Sequence, residues 1–133
     1  MELGDKHYHR VIRMQPDAFR GEIVNIGILI FNKETQKSTI ELLPIDHPKV
    51  TSVVLKGMTP ACYERLSELV TGIFESVEGE KIDPLDADDE NEDVIILHSL
   101  IEKKVIFFSQ PSFIRTGANL EQLQASLMKA YVL

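Results

Sequence analysis

Apolar and polar residues alternate or cluster with the spacing of β-strands along the first third of the chain. Residues 8–14 alternate and are rich in strand-forming types, and the Gln-Pro-Asp at 15–17 interrupts them because proline fixes φ and lacks an N–H. Residues 22–31 are almost continuously apolar and β-branched, which is typical of a central strand covered on both faces. Residues 37–43 follow a short polar connection. The pattern therefore predicts three consecutive strands, the last two paired antiparallel.

Helical spacing is clearest in two later segments. Thr59 is a good N-cap and Pro60 suits the first helical position, so a helix is predicted from there, with Gly79 as its stop. A second helix is predicted after Asn119, which forms a capping-box pattern with Gln122. Both segments carry an apolar stripe at helical spacing, which predicts that each packs one face against a core.

The segments between these elements are less distinctive. Pro44 and Pro48 bracket a predicted loop. Residues 94–101 are ambiguous between strand and helix, and their apolar spacing favours a helix. Residues 104–109 are predicted to form a strand, and residues 113–114 a short edge strand.

The composition is that of one ordinary globular domain. The 133 residues are 44% apolar and 26% charged, which supports a modest core. Strands gathered at the start with helices later indicate an α+β fold: a single domain over residues 1–133, with a mainly antiparallel sheet of about four to five strands and two or three helices packed on it. No apolar run approaches the about 20 residues of a membrane span. The single cysteine fits a reducing compartment, so we expect a cytoplasmic protein without a signal peptide or membrane association.

Negative charge is concentrated in one stretch. The net charge is −7, yet residues 75–93 alone hold ten acidic residues against one lysine. We predict an acidic surface loop at residues 79–92, and its charge argues against non-specific nucleic-acid binding, which needs clustered Lys or Arg. The loop is either a solvated connection or a surface that binds a basic or polar protein. The carboxylates expected to contact such a partner are Asp86, Asp88, Asp89 and Glu90.

Candidate metal ligands and nucleophiles form no recognisable site in the sequence. His7 and His9 alternate along a strand but lack a third ligand at suitable spacing, so we predict two exposed histidines. Counted from Asp86, an EF-hand would need glycine at its sixth position and glutamate at its twelfth, and neither is present. Cys62 lies on the apolar stripe of the predicted helix and is expected to be buried. We therefore expect no metal, no cofactor and no catalytic residue, and an enzyme is the less favoured interpretation.

One group of polar residues surrounds the predicted turn between the first two strands. In a hairpin, Arg13 and Glu22 can face each other, and Arg115 approaches from the C-terminal part. Asn25 interrupts the apolar run, so its amide must find a partner in a bulged backbone or an arginine. Gly27, expected on the same face, leaves room for a close approach. The group is either an anion or peptide pocket or an internal network that holds the turn. The candidate ligand-binding residues are Arg13, Arg20, Glu22, Asn25 and Arg115.

Residues 13–31 (Arg-Met-Gln-Pro-Asp-Ala-Phe-Arg-Gly-Glu-Ile-Val-Asn-Ile-Gly-Ile-Leu-Ile-Phe) resemble a motif of the bacterial domain-of-unknown-function family numbered 3037. The usual form of that motif is Arg, a short Pro-containing stretch, Arg-Gly-Glu, then Val-Asn-Val-Gly-Val-Val-Leu-Phe. Residues 109–111 and 115–117 resemble the family's ending, whereas the middle of the chain matches only in length and helical character. Met14 stands where an aromatic residue is common.

The resemblance implies a role rather than a reaction. The family has no settled biochemical activity, and its genes often lie beside genes for HipA-like kinases. This implies a non-catalytic accessory or protein-interaction module, with a HipA-like kinase as partner, in a toxin–antitoxin or phage-defence setting. Two alternatives stay open: a small anion- or nucleotide-binding domain or enzyme that uses the arginine group, and an acidic inhibitor that mimics nucleic acid. The sequence does not predict the oligomeric state.

Overall fold

In the part of the chain that the structure describes, five strands form one antiparallel sheet, and helices cover it. The computed structural model describes residues 5–16, 21–32, 37–75, 92–116 and 119–133. Its elements are β1 (Asp5–Met14), β2 (Val24–Asn32), β3 (Lys37–Leu42), a π-helical turn (Val50–Val54) continuing into α1 (Leu55–Gly57), α2 (Pro60–Glu75), α3 (Glu92–Glu102), β4 (Ile106–Phe108), β5 (Ser112–Thr116) and α4 (Leu120–Tyr131). The predicted α+β architecture is confirmed. Most of the predicted acidic loop lies outside the described residues, and Glu92 is the first residue of α3.

Strand β1 organises the sheet, because it pairs along both of its edges. On one edge it pairs with β2, which in turn pairs with β3. On the other edge it pairs with β5 and then with β4. Ile12 pairs with Phe108 and His9 pairs with Ser112. The two residues of β1 are three positions apart, whereas their partners are four positions apart. β4 and β5 are therefore one bent strand with an extra residue at the bend.

Ser109 restores the hydrogen bonding at this bend. Its N–H donates to the carbonyl of Val11 at 3.0 Å, and its Oγ accepts from the N–H of Val11 at 2.8 Å. Arg10 Nη1 donates to the Ser109 carbonyl at 2.9 Å. Pro111, two residues on, has no N–H to contribute to the ladder. The hydroxyl of Ser109 thus replaces the backbone acceptor that the bulge removes.

Both faces of β2 are buried, as its nearly continuous apolar run predicts. Every residue from Ile26 to Asn32 is buried, and successive side chains of a strand point to opposite faces. α4 covers one face: the Tyr131 ring lies 5.8 Å from the His9 ring, and Gln124 Nε2 donates to the Ile28 carbonyl at 3.2 Å. α2 and α3 contact β3, β4 and each other, and they cover the other face. Among the described helices, none has the length and apolar character needed to cross a bilayer.

The predicted helix starts are confirmed by their caps. The N–H of Cys62 donates to Thr59 Oγ1 at 3.2 Å at the start of α2. At the start of α4, Asn119 Oδ1 accepts from the Gln122 N–H at 2.8 Å, and the Asn119 N–H donates to Gln122 Oε1 at 3.2 Å. These caps use contacts three residues apart, which is why the sequence reveals them.

The ambiguous segment at residues 94–101 is helical and forms most of α3. This helix ends in a Schellman motif, in which the Lys104 N–H donates to the Ile101 carbonyl and the Val105 N–H to the Leu100 carbonyl, both at 3.0 Å. Lys104 adopts φ 62°, in the left-handed region that favours glycine.

Two expectations about local structure are wrong. No helix is predicted directly after Pro48, yet Val50–Val54 form a helical turn in which Val50 and Val54 are both buried. Cys62 is exposed rather than buried, because the buried stripe of α2 runs through Tyr63, Leu66 and the residues that follow at helical spacing.

Candidate functional site

Arg13 and Asn25 are cross-strand partners in the hairpin of β1 and β2. Ile12 pairs with Gly27 and Arg13 pairs with Asn25, so Ile26 is an extra residue on β2. Neighbouring residues of β1 point to opposite faces, so the bulge places Asn25 and Gly27 on opposite faces. The expectation that these two residues share a face is therefore wrong, since it assumed a regular strand.

Asn25 links Arg13 to the end of α4. Arg13 Nε donates to Asn25 Oδ1 at 2.9 Å, and Asn25 Nδ2 donates to the Tyr131 carbonyl at 2.8 Å. Carbonyls in the last turn of a helix have no partner within the helix, and Asn25 supplies one. The prediction that the Asn25 amide finds an arginine is confirmed. The amide uses both its donor and its acceptor in holding the sheet to the helix.

The strand register places neither Glu22 nor Arg115, two further residues predicted for this site, opposite Arg13 or Asn25. Glu22 is exposed, and the register places Asn25 rather than Glu22 opposite Arg13. The backbone of Arg115 pairs with Lys6, seven residues along β1 from Arg13, a separation of about 23 Å. Arg20 lies outside the described residues.

The C-terminal end of α4 has two further anchors. Lys49 Nζ donates to the Val132 carbonyl, and the His9 ring packs against the Tyr131 ring. A lysine at a helix C-terminus also interacts favourably with the helix dipole. Together with Asn25 we call these contacts the α4 anchor. Lys49 is not predictable as part of this site from local sequence, because its partner lies 83 residues away.

His7 and His9 are buried, only 5% and 7% exposed, which corrects the expectation of two exposed histidines. They lie on β1, which is paired on both edges, and α4 covers the face of His9. Burial lowers the pKa of His9 below its usual value of 6.5. Within the described ranges, no three His, Cys, Asp or Glu side chains are grouped closely enough to hold a metal ion.

Two pockets flank the edge strand β3. The α4-side pocket, of about 560 Å³, lies between β3 and α4 and is lined by Thr39, Ile40, Glu41, Glu121, Gln124 and Met128, among others. The α2-side pocket, of about 420 Å³, lies between the end of β3 and α2, and its lining includes Leu42, Pro44, Tyr63, Glu64, Glu68 and Thr71. Both pockets carry carboxylates, and the described lining of each contains no lysine or arginine.

Tyr63 lines the α2-side pocket and connects its two sides. Its hydroxyl donates to the Leu43 carbonyl at 2.6 Å, which ties α2 to the end of β3. Burial raises the pKa of the Tyr63 hydroxyl, and the Ser67 hydroxyl offsets part of that rise. Tyr63 therefore stays protonated near neutral pH and acts here as a hydrogen-bond donor.

α3 exposes apolar side chains directly after the acidic stretch of the sequence. Val94 and Leu97 are buried, whereas Ile95 is 56% and Ile96 is 43% exposed. We call Ile95 and Ile96 the α3 patch. Ile95 and Ile96 are adjacent large β-branched side chains, and their exposed apolar surface would be removed from water by contact with another protein.

Comparison with known proteins assigns a family but no activity. Residues 9–132, nearly the whole chain, match the family described as "Protein of unknown function (DUF3037)". The match contains β2, the bulge at Ile26 and the α4 anchor, and it confirms the resemblance seen in residues 13–31. No curated protein and no solved structure matches the chain. The chain belongs to the DUF3037 family.

Proposed function

We propose that the protein is a non-catalytic accessory module that binds another protein. The α3 patch carries the proposal: Ile95 and Ile96 lie exposed on a helix whose opposite side is part of the core. Burial of two isoleucine side chains of this exposure contributes roughly 1–3 kcal/mol to binding. In the sequence, the acidic residues of 75–93 directly precede the patch, which supports a partner that combines an apolar contact with a basic surface.

The contacts of Arg13 support this function over anion binding. Its Nε already donates to Asn25, whose amide is in turn bound to the Tyr131 carbonyl. Both described pockets are lined by carboxylates, which repel phosphates and other anions. These observations favour the internal-network interpretation of Arg13 and Asn25.

The partner we propose has a basic surface. Residues 75–93 carry ten acidic residues and one lysine, and we propose that Asp86, Asp88, Asp89 and Glu90 contact that surface. A HipA-like kinase is the first candidate partner, in a bacterial toxin–antitoxin or phage-defence setting, on the strength of the resemblance described above. The single cysteine supports a cytoplasmic location.

Replacing the two isoleucines of the α3 patch by glutamate tests the proposal. The I95E/I96E variant of the tagged protein is co-expressed with the neighbouring kinase, and I23E serves as matched control because Ile23 is equally exposed, at 55%. We expect wild type and I23E to co-purify with the kinase and I95E/I96E to lose it, with unchanged circular dichroism melts. Equal capture of all three proteins, or no complex of the wild type with any neighbouring gene product, contradicts the proposal.

The acidic residues are tested separately. Replacing Asp86, Asp88 and Asp89 by Asn and Glu90 by Gln is expected to slow association with the partner and to reduce its dependence on salt. Association rates of wild type and variant at low and high ionic strength measure this effect. Identical salt dependence would remove these four residues from the interface.

A further inference from the structure

The outer edge of β3 presents backbone groups that a further strand can bind. The Leu43 N–H donates to the Ile26 carbonyl at 2.8 Å, in register with the rest of the β2–β3 pair. In an antiparallel pair such bonds recur at every second residue. The N–H and C=O groups of Ser38, Ile40 and Leu42 therefore point away from β2. Within the part of the chain that the structure describes, no strand pairs with this edge.

The two pockets lie on opposite faces of this edge and are offset along it. The α4-side pocket lies at residues 39–41 of β3, and the α2-side pocket lies at residues 42–45. Their centres are separated by about three residues, or roughly 10 Å along a strand. Side chains of an added strand alternate between the faces. Two side chains three positions apart would therefore enter one pocket each.

The chemistry of both pockets fits a long side chain with a cationic end. The α4-side pocket combines the apolar Ala125 and Met128 with Glu41 and Glu121. Gln124 in the same pocket uses its Nε2 on the Ile28 carbonyl, which leaves its Oε1 as a further acceptor. Lysine and arginine bury an apolar stem and keep the charged end on acceptors.

The α2-side pocket repeats this combination. Leu42 and Pro44 provide apolar surface, and Glu64 and Glu68, one helical turn apart on α2, provide two carboxylates. With the lining described here, each pocket offers two negative charges and no positive one. An open strand edge between two acidic pockets selects for a basic, extended segment.

We propose that the outer edge of β3 binds an extended segment of the partner protein as a sixth strand, with lysine or arginine side chains three residues apart entering the two pockets. Main-chain hydrogen bonds to Ile40 and Leu42 would supply affinity, and the pockets would supply specificity. This inference rests on the proposed function, because the segment belongs to the protein partner, but it uses a surface separate from the α3 patch.

A designed peptide tests the binding mode. The probe is a ten-residue peptide of alternating threonine and valine with lysines three positions apart. One matched control has the same composition with lysines two positions apart, which places both on one face. A second carries N-methyl groups on alternate amides, which blocks strand pairing. We expect both controls to bind at least about tenfold more weakly than the probe, measured by isothermal titration calorimetry.

Protein variants and amide exchange locate the binding site. The E64Q/E68Q and E41Q/E121Q variants are each expected to bind the probe peptide about threefold to tenfold more weakly, because each variant removes both carboxylates from one pocket. In the complex, the amides of Ile40 and Leu42 should gain protection from hydrogen exchange. Equal binding of probe and N-methylated control, protection confined to other strands, or no probe binding at millimolar concentration overturns the inference.

The I95E/I96E variant separates this inference from the proposed function. If the inference holds, this variant binds the peptide as the wild type does, although it no longer captures the partner. If the partner co-purifies with wild type but the peptide does not bind, the edge inference fails and the proposed function stands. If the peptide binds at β3 but no partner protein is captured, the proposed function fails and the edge site stands.

Discussion

Replacing Asn25 by alanine tests whether the α4 anchor stabilises the fold. The change removes both polar atoms of the side chain, so Arg13 Nε and the Tyr131 carbonyl lose the partners they have at 2.9 and 2.8 Å. A neutral hydrogen bond contributes about 1 kcal/mol and one to a charged group about 1.5–3 kcal/mol. Because Arg13 and Asn25 are half-buried and water can partly replace the lost contacts, we expect a net loss of about 2 kcal/mol.

Urea unfolding followed by circular dichroism measures this loss, with an unchanged m-value as evidence that only stability has changed. For a chain of this length the melting temperature should fall by roughly 6–10 °C. Hydrogen exchange adds a local readout: the amides in the last turn of α4 should exchange faster in N25A. The N25D variant keeps an acceptor for Arg13 but places a carboxylate oxygen against the Tyr131 carbonyl, so it should fray the same turn.

A double-mutant cycle distinguishes a network from two independent contacts. The R13M and N25A changes are combined, and a coupling energy of about 1 kcal/mol or more is expected, because each removes the same hydrogen bond. I23A, on the exposed residue two positions before Asn25, is the control for loss of side-chain volume. A stability of N25A within about 0.5 kcal/mol of wild type, or additive effects in the cycle, refutes the reasoning.

Three further changes have expected outcomes that calorimetry and urea unfolding can measure. Alanine at Gly27 would press its Cβ against the Glu41 backbone carbonyl and place it 2.6 Å from Leu42 Cδ2, so G27A should cost about 2–3 kcal/mol. G72A, with nothing within 4 Å of the added Cβ, should gain about 0.5–1 kcal/mol. K104G should gain about 1 kcal/mol, because Lys104 has φ 62°. The lowered pKa of His9 means that the unfolded state binds more protons. Stability should therefore decrease as pH falls below 6.5, and H9F should show a smaller decrease; parallel profiles would contradict this assignment.

Much of the fold follows from local sequence because the signals lie within a few residues. The continuous apolar run of β2 indicates burial on both faces, and the caps at Thr59 and Asn119 need only residues three positions away. The helical turn at Val50 is not predicted from the sequence, because the two prolines that precede it, Pro44 and Pro48, indicate a loop more strongly than the three valines indicate a helix. The prediction that Cys62 is buried is wrong because the apolar stripe that faces the core runs through its neighbour Tyr63.

The candidate site depends on pairing between distant residues, which local patterns do not report. The bulge at Ile26 exists only in relation to β1, so the sequence could suggest a partner for Asn25 but not the face on which it lies. The Tyr131 carbonyl is 106 residues from Asn25. The acceptor on α4 is a backbone carbonyl, and because every residue has one, the residue type does not reveal which carbonyl accepts the bond.

The central position of β1 has a kinetic consequence. Arg10 and Ser109 are hydrogen-bonded although 99 residues separate them, so half of the sheet depends on closing a very long loop. Contacts of such sequence separation slow folding, since chain entropy is lost before the contact forms. During synthesis on the ribosome, β1 to β3 emerge first and can form a three-stranded meander. One edge of β1 then stays unpaired until β4 and β5 are synthesised. During that delay the unpaired edge of β1 is a site at which another strand can pair wrongly.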